Sequence, residues 1–182
     1  MSYKITPLTR VDALEILNWR YPFPYDFYDP PFVEDTTAFA EQLLRNELHF
    51  HGIWDDANSF VGFCSYGWDG QVMGGDYSEP GLDIGLGMKP ELIDKGRGNQ
   101  FLESILNFAF KNFKSILIRI TVANFNHRAL FLYEKFGFTL KQQFIDPDNG
   151  MSYSILVLEK GDFSLVCSAI NSYSARNNNN TG

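Results

Sequence analysis

The chain has 182 residues, 45% of them hydrophobic, and a formal net charge of -7 at pH 7. That length suits one domain with a proper buried core. The acidic balance excludes a general nucleic-acid or anionic-membrane binder and fits a cationic partner better.

"YKITPL" alternates like a first strand, and "RVDALEILNWR" spaces Val11, Leu14, Leu17 and Trp19 as a short helix would. "YPFPYDFYDPPF" cannot continue that helix, because each proline blocks it or restricts its neighbour. It reads as an aromatic, acidic loop. "TAFAEQLLRN" reads as a second helix, with Asp35 or Thr36 as N-cap. "LHFHGIWDDANSFVGFCSYGW" reads as a hairpin turning at Asp55 to Asn58.

After the Gly-rich loop "DGQVMGGDYSEPG", the strand "LDIGLGMK" ends at Pro90. The glycine stretch around Gly96-Arg97-Gly98 follows. Phe101, Leu102, Ile105, Leu106, Ala109 and Phe113 then fall at helical spacing. "SILIRITVA" is an alternating strand carrying Ile116, Ile118, Ile120 and Val122. "NHRALFLYEKF" is a helix, capped by Asn126 or Asn124 and stopped by Gly137. "FTLKQQF" and "SYSILVLEK" are the last strands, joined by the turn "DPDNG". The predicted order is β-α-α-β-β-β-α-β-α-β-β. Residues 161–182, ending in "NNNNTG", read as a tail, expected to be partly disordered.

Cys64 and Cys167, the only cysteines, imply no disulfide framework. The N-terminus "MSYKITPLTR" has no apolar signal core and no apolar run reaches transmembrane length, so a cytoplasmic protein without a membrane partner is expected. His49 and His51 form an HxH pair on one strand face, but no third ligand stands out, so no metal site is expected. Cys64, in an apolar strand, reads as core.

The glycine stretch invites three readings. A P-loop needs GxxxxGK[ST], which is absent. A dinucleotide fingerprint would need glycine where Phe101 stands. A plain strand-to-helix turn remains open for a bare GxG.

The surroundings add a fourth. The loop Ile93-Asp94-Lys95-Gly96-Arg97-Gly98, followed downstream by Asn126, Ala129, Leu132, Tyr133, Glu134, Lys135, Gly137 and Phe138, resembles the GCN5-related N-acetyltransferase (GNAT) superfamily. The family carries a Q/R-x-x-G-x-G/A loop for the pyrophosphate of acetyl-coenzyme A, and an N-x-x-A-x-x-L-Y-E-K-x-G-F-like helix. The resemblance spans residues 1–160, taken as one domain. It implies an α/β (α+β) fold with a mixed, mostly antiparallel sheet of about seven strands and about four helices. One departure is Ile93, where the family has Gln or Arg; Asp94 also brings negative charge to the loop.

A helix N-terminus with glycines at Gly96 and Gly98 offers unpaired N–H donors to a phosphate, and Lys95 and Arg97 add positive charge. Asn99 belongs to the same expected cofactor site. Gly85 and Gly87 weaken the interior of the preceding strand. By the resemblance, the pantetheine arm lies along that strand, with Met88 as a backbone contact and Asn126 at the cofactor from the later helix. A glycine-rich strand without a ligand, and a helix cap, are the plain alternatives.

The resemblance also makes Tyr133 the acid that protonates the leaving thiolate; otherwise it is a core tyrosine. The base is not singled out: Asp83 is the first candidate, with Asp76 and Glu79 as alternatives, each equally readable as a solvated carboxylate. The acceptor side is expected at Tyr25, Asp26 and Tyr28 in one loop and Asp76 and Tyr77 in another. Rings with carboxylates suit a cation, although packed surface tyrosines fit as well. The expectation is an acetyl-CoA-dependent N-acetyltransferase acting on an amine of a small molecule or peptide, as monomer or homodimer. The alternative is a non-catalytic coenzyme A-binding sensor or interaction module of the same fold.

Overall fold

The computed structural model describes residues 2–166. Its elements are β1 (Lys4–Pro7), α1 (Arg10–Ile16), α2 (Thr36–Leu43), β2 (His51–Trp54), β3 (Phe60–Tyr66), β4 (Leu82–Met88), α3 (Gly98–Asn112), β5 (Leu117–Ala123), α4 (His127–Lys135), β6 (Thr139–Ile145) and β7 (Ser152–Glu159). This is the order expected from the sequence. One seven-stranded sheet runs β1-β2-β3-β4-β5-β7-β6. All its pairings are antiparallel except β4 with β5.

Local chemistry explains the helix starts. Thr9 and Asp12 form a capping box on α1, the Asp35 carboxylate accepts from Ala38 N–H on α2, and Asn126 accepts from Ala129 N–H on α4. Gly137, at φ 87°, takes the left-handed turn that stops α4.

The apolar stripe of α3 buries Phe101, Leu102, Ile105, Leu106 and Ala109 on one sheet face, together with Phe136 and Phe138 beyond α4. Leu102, Ile105 and Leu106 are wholly buried, each worth about 2 kcal/mol of transfer free energy. On the opposite face α1 and α2 enclose a second cluster that includes Ala13, Ile16, Trp19, Phe50 and Phe60.

Three expectations change. Val11 is 73% exposed although it belongs to the apolar spacing that predicts the helix, because α1 turns Asp12, Ala13 and Ile16 inward instead. His49 is not on a strand: it sits in left-handed backbone at φ 47°, and β2 begins at His51. The two rings therefore serve packing, His49 edge-on to Phe113 and His51 to Phe108. Residues 160–166 are helical, and buried Phe163 packs on Phe110, so the folded part extends past residue 160. Cys64 is fully buried; Cys167 and the rest of the expected tail lie outside the described residues. Among the described residues no helix is long and apolar enough to cross a membrane.

Candidate active site

The β4–β5 ladder contains only Leu82 with Ile118 and Asp83 with Arg119. Beyond Asp83 the two parallel strands part. β4 stays paired with β3 along its length. Lys89 N–H donates to Val61 C=O and Gly67 N–H donates to Asp83 C=O, so the odd-numbered residues face β3. Alternation then turns the N–H and C=O of Ile84, Leu86 and Met88 toward the gap. The Met88 carbonyl already accepts a 2.9 Å hydrogen bond from the Tyr21 hydroxyl. Gly87 is fixed by packing: a Cβ there would lie 2.5 Å from the Phe63 ring.

At the open end of the gap, α3 begins at Gly98 with no side-chain cap and no acidic residue in its first turn. The other helices α1, α2 and α4 are all side-chain capped. Gly96 takes φ 72° and has open space where a Cβ would sit. Lys95 is exposed, while Asn99 accepts a 3.0 Å bond from Lys135. Arg97 does not supply the expected free charge: its guanidinium lies 3.6 Å from Asp55 in the β2–β3 turn. The neighbouring cation is instead Arg128, on α4, which pairs with Asp94 of the loop.

Arg128 also lies over the Tyr25 ring, 3.7 Å from its centroid. Tyr25 and Tyr28 belong to a 3₁₀ turn, Tyr25–Tyr28, that packs on Phe125. Asn126 caps α4 with Oδ1, and its Nδ2 donates to the Tyr28 hydroxyl at 3.3 Å. Tyr28, expected on the acceptor side, thus stands beside Asn126, expected at the cofactor. Asp26 is exposed on the same turn. Tyr133 is 5% exposed, its ring 5.6 Å from that of Phe138. Burial is the main cause that raises its pKa, and the nearby Tyr28 hydroxyl adds to it.

Asp83 stands at the closed end of the gap, 4% exposed. Arg119 Nε donates to its Oδ1 at 2.7 Å, and Arg119 Nη2 and Gln71 Nε2 donate to its Oδ2, each at 2.8 Å. Arg119 also donates to the Glu79 carbonyl and lies over the Tyr77 ring. The Tyr77 hydroxyl accepts from Val72 N–H and lies 3.0 Å from Thr121 Oγ1. Asp76 is turned to its own loop, accepting from Ser78 N–H and Oγ, and the Glu79 carboxylate pairs with Lys141. Tyr153 on β7 links the two aromatic groups: it packs on Phe27, and both Tyr28 and Tyr77 are close enough to interact electrostatically.

Sequence reasoning missed Arg119, Arg128 and the contact of Tyr21 with β4. Arg119 had a signal, a lone charge inside the apolar run "LIRITVA", because a buried guanidinium demands a buried carboxylate. Arg128 had none, since its partner is 34 residues away, and Tyr21 was legible only as a ring of the aromatic loop, its contact with Met88 lying 67 residues away.

No curated protein sequence matches the chain. Solved structures share its fold. A chimera of the spermidine N-acetyltransferase of Vibrio cholerae superposes with a TM-score of 0.72 at 16% identity, over 90% of this chain and 98% of that one. An aminoglycoside acetyltransferase in complex with coenzyme A and kanamycin superposes at 0.68 with 19% identity, over 90% and 98%. The Vibrio cholerae spermidine N-acetyltransferase in complex with coenzyme A and spermine superposes at 0.65 with 16% identity, over 89% and 98%. The profile of the acetyltransferase (GNAT) family matches residues 12–138, so the chain belongs to that family.

Proposed function

We propose that the chain is an acetyl-CoA-dependent N-acetyltransferase that transfers the acetyl group directly to a primary amine of a small molecule or peptide. The observation that carries this reading is the open β4 edge leading from Asp83 to the uncapped start of α3. The edge offers gap-facing N–H and C=O groups to an extended amide chain. The helix start offers free N–H donors and a favourable dipole to a pyrophosphate. Met88, Lys95, Gly96, Gly98, Asn99 and Asn126 are the proposed cofactor side. Arg128 takes over the charge role expected of Arg97. The similarity to spermidine and aminoglycoside acetyltransferases supports an amine acceptor.

In this reading Tyr133 is the acid. A phenol is protonated at neutral pH and so can donate to a departing thiolate, although burial, by raising the pKa of Tyr133, makes it a weaker acid than a free phenol. Asp83 anchors Arg119 at the closed end of the gap, in place of the base role that its position on β4 suggested. Tyr25, Asp26, Tyr28, Asp76 and Tyr77 wall the acceptor side, and Tyr77 is held by Arg119 and Thr121.

One contact favours the second reading, a coenzyme A-binding module without turnover: the Tyr21 hydroxyl occupies a gap-facing carbonyl. Incubation with acetyl-CoA and a panel of polyamines, aminoglycosides and peptides, read by mass spectrometry, separates the two. An acetylated amine supports the transferase. Binding of acetyl-CoA with no product from any amine supports the module.

The cofactor side has its own test. Acetyl-CoA at 100 times its dissociation constant is expected to stabilise the fold by about 2.7 kcal/mol. Gly98→Glu should remove that shift, because the new side chain brings a carboxylate to the start of α3, where a Cβ already meets Leu132 at 3.3 Å. A folded Gly98→Glu protein that keeps the full shift contradicts the assignment of this loop.

A further inference from the structure

The three carboxylates weighed as the base are all engaged, Asp83 by Arg119, Glu79 by Lys141 and Asp76 by Ser78. Asp69 differs. It lies in the short 3₁₀ turn Trp68–Gly70 between β3 and β4, and Gly70 packs against the backbone of Ile84 and Gly85. Its Oδ2 accepts a 2.8 Å hydrogen bond from Ser65, which is wholly buried on β3. No cation pairs with it among the described residues. The residue is exposed, so its other oxygen remains within reach of a ligand.

Its position relative to the gap is the main point. Ser65 pairs with Gly85, two residues past the last β4–β5 pair. A Cβ on Gly85 would stand 2.4 Å from Ser65 Oγ and 3.4 Å from Asp69 Oδ2. The carboxylate therefore lies directly above the backbone where the strands begin to part. It also lies on the face opposite Tyr133. Cys64 and Tyr66 point into the cluster that contains Tyr133, so the alternate residue Ser65 points to the face of α1 and α2. A thioester held in the gap with its phosphates at α3 would have an acid on one face and Asp69 on the other. Exposed Trp68, next to Asp69, adds an aromatic ring at the same rim.

We propose that Asp69 holds the acceptor's ammonium and takes its proton, a role that rests on the transferase reading above. The ammonium gives one proton to the Asp69 carboxylate. The neutral nitrogen attacks the thioester carbonyl carbon, forming C–N, and loses a second proton to water. Collapse breaks C–S, and the thiolate takes a proton from Tyr133. Water reprotonates Tyr133 and receives the proton held by Asp69, so one proton is released per turnover. Although the residue is exposed, desolvation of its carboxylate raises its pKa above the ordinary aspartate value, with the Ser65 bond acting the other way. That direction improves a carboxylate's ability to accept a proton.

The test compares the wild type with Asp69→Asn and Asp69→Glu, using acetyl-CoA and the best amine of the panel. Asp69→Asn is expected to lower kcat/KM for the amine by about 10²-fold or more. Its thermal shift with acetyl-CoA alone should match the wild type, and Asp69→Glu should recover part of the loss. Wild-type amine kinetics in Asp69→Asn overturn this inference and leave the transferase reading standing. A wild-type chain that binds acetyl-CoA but acetylates no amine overturns both.

Discussion

Tyr133→Phe is expected to reduce turnover by about 10²–10⁴-fold while leaving acetyl-CoA affinity unchanged. The substitution removes one hydroxyl and keeps the ring, which is buried against Phe138 in the cluster formed by α3 and α4. The fold should therefore survive with its melting temperature close to wild type. The hydroxyl is protonated at neutral pH, as any phenol is, and burial with the neighbouring Tyr28 raises its pKa further. Without it, the thiolate must leave unprotonated or wait for water. Steady-state kinetics with both substrates varied measure the effect. Full activity in this variant would place the acid elsewhere.

The next largest effect is on stability. Asp83→Ala is expected to cost about 3–5 kcal/mol, because it leaves the Arg119 guanidinium buried without its counter-ion. Both side chains of the pair are only 5% exposed, so solvent screens them little. Asp83 also receives Gln71, and Arg119 holds the Glu79 carbonyl and Tyr77. Loss of the carboxylate should loosen the closed end of the gap as well as the core. The double variant Asp83→Leu with Arg119→Met should recover much of the loss, since an apolar pair leaves no orphan charge. Urea unfolding measures both. A cost below about 1 kcal/mol for Asp83→Ala would mean that water reaches the guanidinium, as at an exposed ion pair.

The contrast between what the sequence disclosed and what it hid follows the range of the interactions. Helix α3 was legible from Phe101 to Ala109 because its core positions recur at helical spacing. The caps at Asp35 and Asn126 were legible because a cap acts over three residues. Helix α1 was overextended by the apolar Leu17 and Trp19, which are buried although they lie beyond its end at Ile16.

The site was harder to read for the same reason. The glycine loop and Tyr133 sit in a local pattern, and the pattern pointed to them. The charges around them do not. Arg97 lies inside the loop yet turns to Asp55, 42 positions earlier in the chain. Arg128 lies outside the loop yet pairs with Asp94. Asp83 was chosen as base for its place on β4, and only the fold reveals Arg119 across the parallel ladder. Asp69 stood in "GWDG", with nothing local to set it apart from any polar turn. Its meaning comes from Gly85, which the sheet register brings beneath it.

The most direct measurement of the central claim is release of free coenzyme A thiol from acetyl-CoA by the purified chain, with and without primary amines. The account predicts release that depends on the amine, saturates with it, and falls by about 10²-fold or more in Tyr133→Phe. Release that is absent with every amine, or that proceeds at the same rate in Tyr133→Phe, would contradict it.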